Sequence, residues 1–215
     1  MHVWWHPAVA DAAEISATLE IVEPPTVEHL HFWALQATFV DARNQPVGTA
    51  HLGLQWYTAH PGSTAVNWGG YRPHGQGELG QVTPPRLPSA TGNPNTRDYR
   101  WRPHTPYRLT TTADGTGAVT DLATNRTTVV RRLDVPGATR LTDPVVWSEV
   151  FARCDDPPSA VRWFDLSPAP AELHATYQSY ENGGCTNTDI HHDPGRGTIT
   201  QRTNCERTTP EGRLA

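Results

Sequence analysis

The chain contains no lysine: all 17 of its basic residues are arginine, and its one methionine is Met1. That composition fits a GC-rich gene, and it excludes Schiff-base chemistry on a lysine amine and a phosphate loop that works through lysine. No run approaches the ~20 consecutive apolar residues of a membrane helix, so no membrane span is expected. Charge is sparse as well, at 18% of residues with a formal net charge of -5. A phosphate-backbone binder would carry a basic patch, so no nucleic-acid partner is expected. Cysteine is confined to Cys154, Cys185 and Cys205, none of them in a C-x-x-C pair, which removes the usual structural zinc spacing. Cys185 and Cys205 flank the Asp193-Pro194-Gly195 turn and are expected to pair, leaving Cys154 as the odd thiol. The segment Met1–Pro7 has neither a basic n-region nor a signal-like apolar run, so the expectation is a cytoplasmic protein or one without its leader.

What the chain has in plenty is punctuation, with 20 Pro and 17 Gly in 215 residues. That is too much for a helical bundle, and the length suits one all-β domain over residues 1–215. Between turn signals the apolar residues alternate with a period of two. In His31–Val40, Trp33, Leu35, Ala37 and Phe39 share one face, while Phe32, Gln36 and Thr38 share the other. His51–Tyr57 sets Leu52, Leu54 and Trp56 against Gly53, Gln55 and Tyr57. Thr64–Tyr71 sets Val66 and Trp68 against Asn67 and Tyr71. Further strands are expected at Tyr107–Thr112 and Ala118–Leu122, a hairpin turned by Ala113-Asp114-Gly115, and at Thr127–Val135, Val145–Ala152, Ala160–Leu166, Ala175–Tyr180 and Thr198–Thr203. Residues 72–106 read as a long Pro/Gly-rich loop or short edge strands. Only Ala8–Leu19 gathers helix formers in number, and its β-branched end could equally begin a strand. About ten short strands with Pro/Gly turns make a sandwich or a barrel.

The order of motifs carries a resemblance. Val3-Trp4-Trp5, Phe32-Trp33-Ala34-Leu35-Gln36, His51-Leu52-Gly53-Leu54-Gln55, Ala65-Val66-Asn67-Trp68, Tyr99-Arg100-Trp101, Pro106-Tyr107-Arg108-Leu109 and Val146-Trp147-Ser148-Glu149-Val150-Phe151 follow one another toward Cys154. Over about residues 3–205 this resembles a bacterial family of unknown function with concanavalin A-like sandwiches that often accompany carbohydrate-related modules. The resemblance implies an all-β, two-sheet antiparallel β-sandwich of jelly-roll type and an extracellular setting. Two features depart from it: no export signal is seen, and the 72–106 stretch is long. The motifs are packing motifs, so function has to be argued from individual residues.

If the Trp33, Leu54 and Trp68 sides face the core, the opposite sides share a layer of Gln36, Gln55, Tyr57, Asn67 and Tyr71. Trp147 and Glu149 join that layer if the smaller side of Val145–Ala152 packs inward. Planar amides, one carboxylate and aromatic faces suit polyhydroxylated ligands, because hydroxyls take paired hydrogen bonds and sugar faces stack on rings. The same mixture is also what an ordinary solvated sheet face presents. The glycosidase pattern E-x-D-x-x-E is absent: Glu149 stands alone, and Asp155-Asp156 point oppositely in a strand. Asp189, His191 and Asp193 could share one side of an extended run, but their Gly/Pro surroundings read as a polar surface turn rather than a metal site. No G-x-S-x-G is present, and Asp155 beside Cys154 would raise that thiol's pKa. The function expected is therefore non-catalytic binding of a glycan through Gln36, Gln55, Asn67, Tyr71, Trp147 and Glu149, with no cofactor, no metal and no catalytic residue assigned. The alternatives are a carbohydrate-active hydrolase or lyase using Glu149, and a structural or assembly module.

Overall fold

The computed structural model describes residues 1–7, 12–177 and 187–214. In chain order its strands are β1 (His2–Pro7), β2 (Glu14–Glu23), β3 (His31–Val40), β4 (Pro46–Trp56), β5 (Thr64–Tyr71), β6 (Gly80–Gln81), β7 (Thr96–Asp98) and β8 (Pro106–Thr112). They continue with β9 (Thr116–Asp121), β10 (Arg126–Asp134), β11 (Arg140–Val150), β12 (Ala160–Ser167), β13 (Pro170–Thr176), β14 (Thr188–Asp193), β15 (Thr198–Thr203) and β16 (Gly212–Arg213). The strands form two eight-stranded sheets. The first runs β16-β13-β1-β11-β3-β4-β5-β7 and the second β14-β15-β12-β2-β8-β9-β10-β6. The pairings between these strands are antiparallel, so the architecture is a two-sheet antiparallel sandwich.

Alternation decides which side of each strand is dry. Trp33, Leu35, Phe39, Leu52, Leu54, Val66 and Trp68 point between the sheets and are each at most 1% exposed. Trp56 continues the pattern but is only half-buried, because its indole sits at the rim and donates to Val27 O at 3.0 Å. Val146 enters the same core, so the smaller side of β11 does pack inward and Trp147 and Glu149 face outward. The second sheet answers with Ile15, Leu19, Ile21, Tyr107, Leu109 and Trp163. Truncating a buried aromatic of this kind costs about 3–5 kcal/mol. The hairpin of β8 and β9 closes where Asp114 accepts from Thr116 N at 3.0 Å and Gly115 takes a φ of 87°. An added Cβ at Gly115 would also lie 2.4 Å from Leu133 O, so both conformation and space ask for glycine there.

Three sequence expectations change. From Glu14 onward the supposed helix is strand β2, whose Ile15, Ala17, Leu19 and Ile21 alternate into the core. Residues 8–11 lie outside the described residues. The supposed turn at Asp189–Asp193 is strand β14, paired residue for residue with β15, and among the described residues no cluster of His, Cys, Asp or Glu could hold a metal. Asp189 there takes Thr208 Oγ1 at 2.6 Å and Thr209 N at 3.0 Å. The Cys185–Cys205 bridge does not form: Cys205 is a free thiol and Cys154 is disulfide-bonded, while Cys185 lies outside the described residues. The strand expected over Ala175–Tyr180 is β13, which ends at Thr176; residues 178–180 also lie outside the described residues. Among the described residues no helix is long and apolar enough to cross a membrane.

Candidate functional site

The strand order β11-β3-β4-β5-β7 lays the outward side chains of the first sheet in transverse rows. Glu149, Phe32, Gln55, Ala65 and Asp98 are successive cross-strand partners. The next row is Trp147, Ala34, Gly53, Asn67 and Thr96, and the one after it Val145, Gln36, His51 and Gly69. Tyr71 follows one row farther, opposite Thr49. The six residues expected to bind a ligand therefore lie on one face.

Their surroundings differ sharply. Phe32 is 4% exposed and Trp147 8%, because their rings meet edge to face at 4.9 Å, with His51 adding contacts of 5.6 and 5.8 Å. Together with Ala34, Val145 and the half-buried Trp4 they form a second apolar cluster on the outer face, separate from the main core. Gln36 is occupied by this cluster, accepting from Trp147 Nε1 at 3.2 Å. Asn67 is likewise occupied, donating to Thr96 Oγ1 at 2.9 Å and so fastening β7 to β5. Tyr71 is 55% exposed and stands 6.3 Å from the His51 ring.

Gln55 and Glu149 remain uncommitted. Gln55 is only 6% exposed, and its backbone is fixed by Trp101 Nε1, which donates to Gln55 O at 3.0 Å. Glu149 is half-buried, and burial holds its carboxyl above the ordinary glutamate value, with the Met1 ammonium pulling weakly the other way. Among the described residues, neither the Gln55 side-chain amide nor the Glu149 carboxylate has a hydrogen bond or salt bridge to protein. None of their polar atoms is among the enclosed ones, so both groups are open to water or to a ligand. Burial also pushes His51 down to about 4, with Asn67 beside it pulling upward, so its ring is neutral near pH 7.

Beneath this face the backbone is stiffened by buried polar contacts. Ser148, between Trp147 and Glu149 on the inward side, donates to Gln201 Oε1 at 2.6 Å. Arg131 is 4% exposed, and its guanidinium donates twice to Trp68 O, to Asn95 Oδ1 and to Gln81 Oε1. These bonds tie the 72–106 stretch to both sheets and bring β7 into the site. Phe32 was legible in the sequence as a companion of Gln36. Asp98 was not, since a three-residue strand has no measurable period.

The fold has solved relatives in shape. One is a crystal structure of scytalido-glutamic peptidase with a peptide-based transition-state analogue, at 14% identity and a TM-score of 0.52, covering 92% of this chain and 96% of that one. Another is SCP-B, a member of the eqolisin family of peptidases, in complex with the tripeptide Ala-Ile-His, at 13% identity and a TM-score of 0.48 with the same coverage. No family model matches the chain, and no curated protein matches it in sequence. The expected glycan-binding, lectin-like role is corrected on two grounds. The solved structures reported above that share the sandwich are peptidases. Of the two rings expected to contact a sugar, Trp147 is packed edge to face on Phe32 and nearly closed to solvent, while Tyr71 stays exposed.

Proposed function

We propose that this chain is a hydrolase of peptide bonds, with Glu149 as general base and acid and Gln55 as the donor that stabilises the oxyanion. The observation that carries this reading is the row in which Glu149 and Gln55 flank Phe32 on one face, neither of them engaged by the protein. Neighbouring strands are ~4.8 Å apart, so the two backbones stand roughly 10 Å apart and their side chains can converge on one carbonyl above the Phe32 ring. In the first step Glu149 removes a proton from water as the water oxygen bonds to the scissile carbonyl carbon. The carbonyl oxygen becomes an oxyanion, and Gln55 Nε2 donates a hydrogen bond to it. Glu149, now a carboxylic acid, returns the proton to the amide nitrogen as the C–N bond breaks, giving a carboxylic acid and an amine. A carboxyl with a raised pKa suits this double duty, since it can hold the proton between the steps.

The shared fold with scytalido-glutamic peptidase, solved with a peptide-based transition-state analogue, supports peptide as the substrate class. Glycoside hydrolysis fits the face less well, because it needs two carboxyls within about 9.5 Å. Glu149 and Asp98 lie four strands apart along their row, roughly 19 Å along the sheet at ~4.8 Å per strand.

The test is incubation with unfolded protein and peptide mixtures from acid to neutral pH, reading new termini by mass spectrometry. Wild type should cleave. Glu149→Gln should abolish turnover while still binding peptide, and Gln55→Ala should lower kcat by about 10²–10³ with little change in KM. Absence of cleavage by wild type, or full activity in Glu149→Gln, overturns the assignment.

A further inference from the structure

Asp98 closes the same row at the edge of the sheet, and its carboxylate stands out among the acidic groups of the molecule. Its Oδ1 is enclosed and has no hydrogen-bond partner among the described residues. Several other carboxylates are matched: Glu172 is paired with Arg213 at 3.3 Å, Glu23 with Arg202 at 3.0 Å and Glu20 with Arg162 at 3.3 Å. A carboxylate with one oxygen enclosed and unpaired is unfavourable unless a cation compensates its charge at the open oxygen.

The charge around it is one-sided. The three rows from Glu149 to Asp98, from Trp147 to Thr96 and from Val145 to Gly69 hold two carboxylates and no guanidinium. His51, the one histidine in those rows, is neutral above about pH 4. The position is also held firmly: Asp98 N donates to Pro88 O at 2.9 Å, and Asn67 bonds Thr96 two residues earlier. The Met1 ammonium acts at the Glu149 end of the row, four strands away, and a fixed anion at the other end is complementary to a flexible cationic side chain.

Resting on the peptide-hydrolase reading, we propose that Asp98 determines specificity, selecting peptides with a lysine or arginine two to four residues from the scissile bond on the Gln55 side. Asp98 lies three strands from Phe32, roughly 14 Å along the sheet, and an extended peptide advances ~3.4 Å per residue. The long stem of lysine or arginine covers the remaining distance, with the ammonium or guanidinium meeting the carboxylate at Oδ2, the oxygen that is not enclosed. The nearest link between Asp98 and Gln55 is Ala65, whose small side chain leaves the path between them open.

The experiment uses two sets of internally quenched peptides that differ only in lysine against norleucine, moved one position at a time on each side of the scissile bond. Wild type should prefer lysine at one position by about tenfold or more in kcat/KM, and the preference should shrink as salt rises. Asp98→Asn should bring the ratio within about twofold, and Asp98→Glu should keep a preference, shifted if at all by one position. A wild-type ratio near one at every position overturns the proposal without any variant, as does a preference that survives in Asp98→Asn. If nothing is cleaved, the hydrolase reading fails by itself. Fluorescence anisotropy of the same peptides on Glu149→Gln, with and without Asp98→Asn, then still decides whether Asp98 selects the cation.

Discussion

Gln201 reaches across the sandwich to Ser148, its Oε1 accepting the hydroxyl at 2.6 Å directly under the peptide that carries Glu149. The same oxygen takes Trp163 Nε1 at 3.0 Å, so one buried amide couples both sheets to the strand of the candidate site. With Gln201 itself 1% exposed, water cannot replace either bond.

Gln201→Met should therefore leave the Ser148 hydroxyl and the Trp163 N–H buried and unpaired. A loss of about 1–3 kcal/mol is expected for each orphaned donor. Urea unfolding measures it, and Ser148→Ala in the same background should recover part of the loss, because one of the two orphaned groups is then gone.

The acid limb of activity should lie above the ordinary glutamate value of about 4.3, because burial favours the protonated form of Glu149 and the base must be ionised to act. Phe32→Ser would admit water beside the carboxylate and move that limb downward. A pH profile of kcat/KM for both proteins reads the shift, and a limb that stays in place would remove burial as its cause.

His51 gives stability a separate pH dependence. Its folded-state value of about 4 lies below the ordinary histidine value of 6.5, so the unfolded chain binds the proton first. The contribution is present above about pH 6.5 and is lost as pH falls toward about 4, on the order of 3 kcal/mol in all. Thermal melts across this window should flatten in His51→Gln. An unchanged slope would place the acid sensitivity elsewhere, with His2, also pushed down to about 4, as the next residue to replace.

Gly117 is the test of core packing. A Cβ there would lie 2.7 Å from the Trp68 indole, a rigid ring that is fully buried and donates to Gly115 O at 3.2 Å. Gly117→Ala should cost about 1–3 kcal/mol, the usual price of overpacking, despite alanine's better behaviour in isolated chain. Denaturant midpoints check it; a neutral result would mean that β9 can step away from Trp68.

The sequence made the strands legible wherever one face is dry and the other is not. Trp33, Leu35 and Phe39 against Phe32 and Gln36 are an unambiguous period of two, and the same logic put Trp147 and Glu149 on the right side of β11. In β2 the period was present in Ile15, Ala17, Leu19 and Ile21, yet alanine, leucine and glutamate are also good helix formers, and composition obscured the alternation. The candidate site was half legible. Its residue types could be read off each strand, but the neighbourhood of Glu149 and Gln55 depends on β11 lying beside β3, a pairing between distant segments that no local pattern encodes. Stacking on sugars was inferred from the presence of rings; Trp147 packs on Phe32 instead, and sequence alternation fixes the side on which a ring lies, not its partner. Asp98 and the Cys154 disulfide fell in stretches without periodicity, where only the folded chain brings partners together.

The strands at the sheet margins bear on how this protein behaves at high concentration. β6 and β16 are two residues long and β7 three, so three of the four outermost strands are short, although β6 covers only Leu133 and Asp134 of the nine-residue β10. The fourth, β14, carries Asp189 and Asp193 along its six residues. Short or charged margins blunt templated strand addition, the first event of amyloid-like growth. Length and charge thus oppose templated addition at most of the margins, and β10 is where it is opposed least.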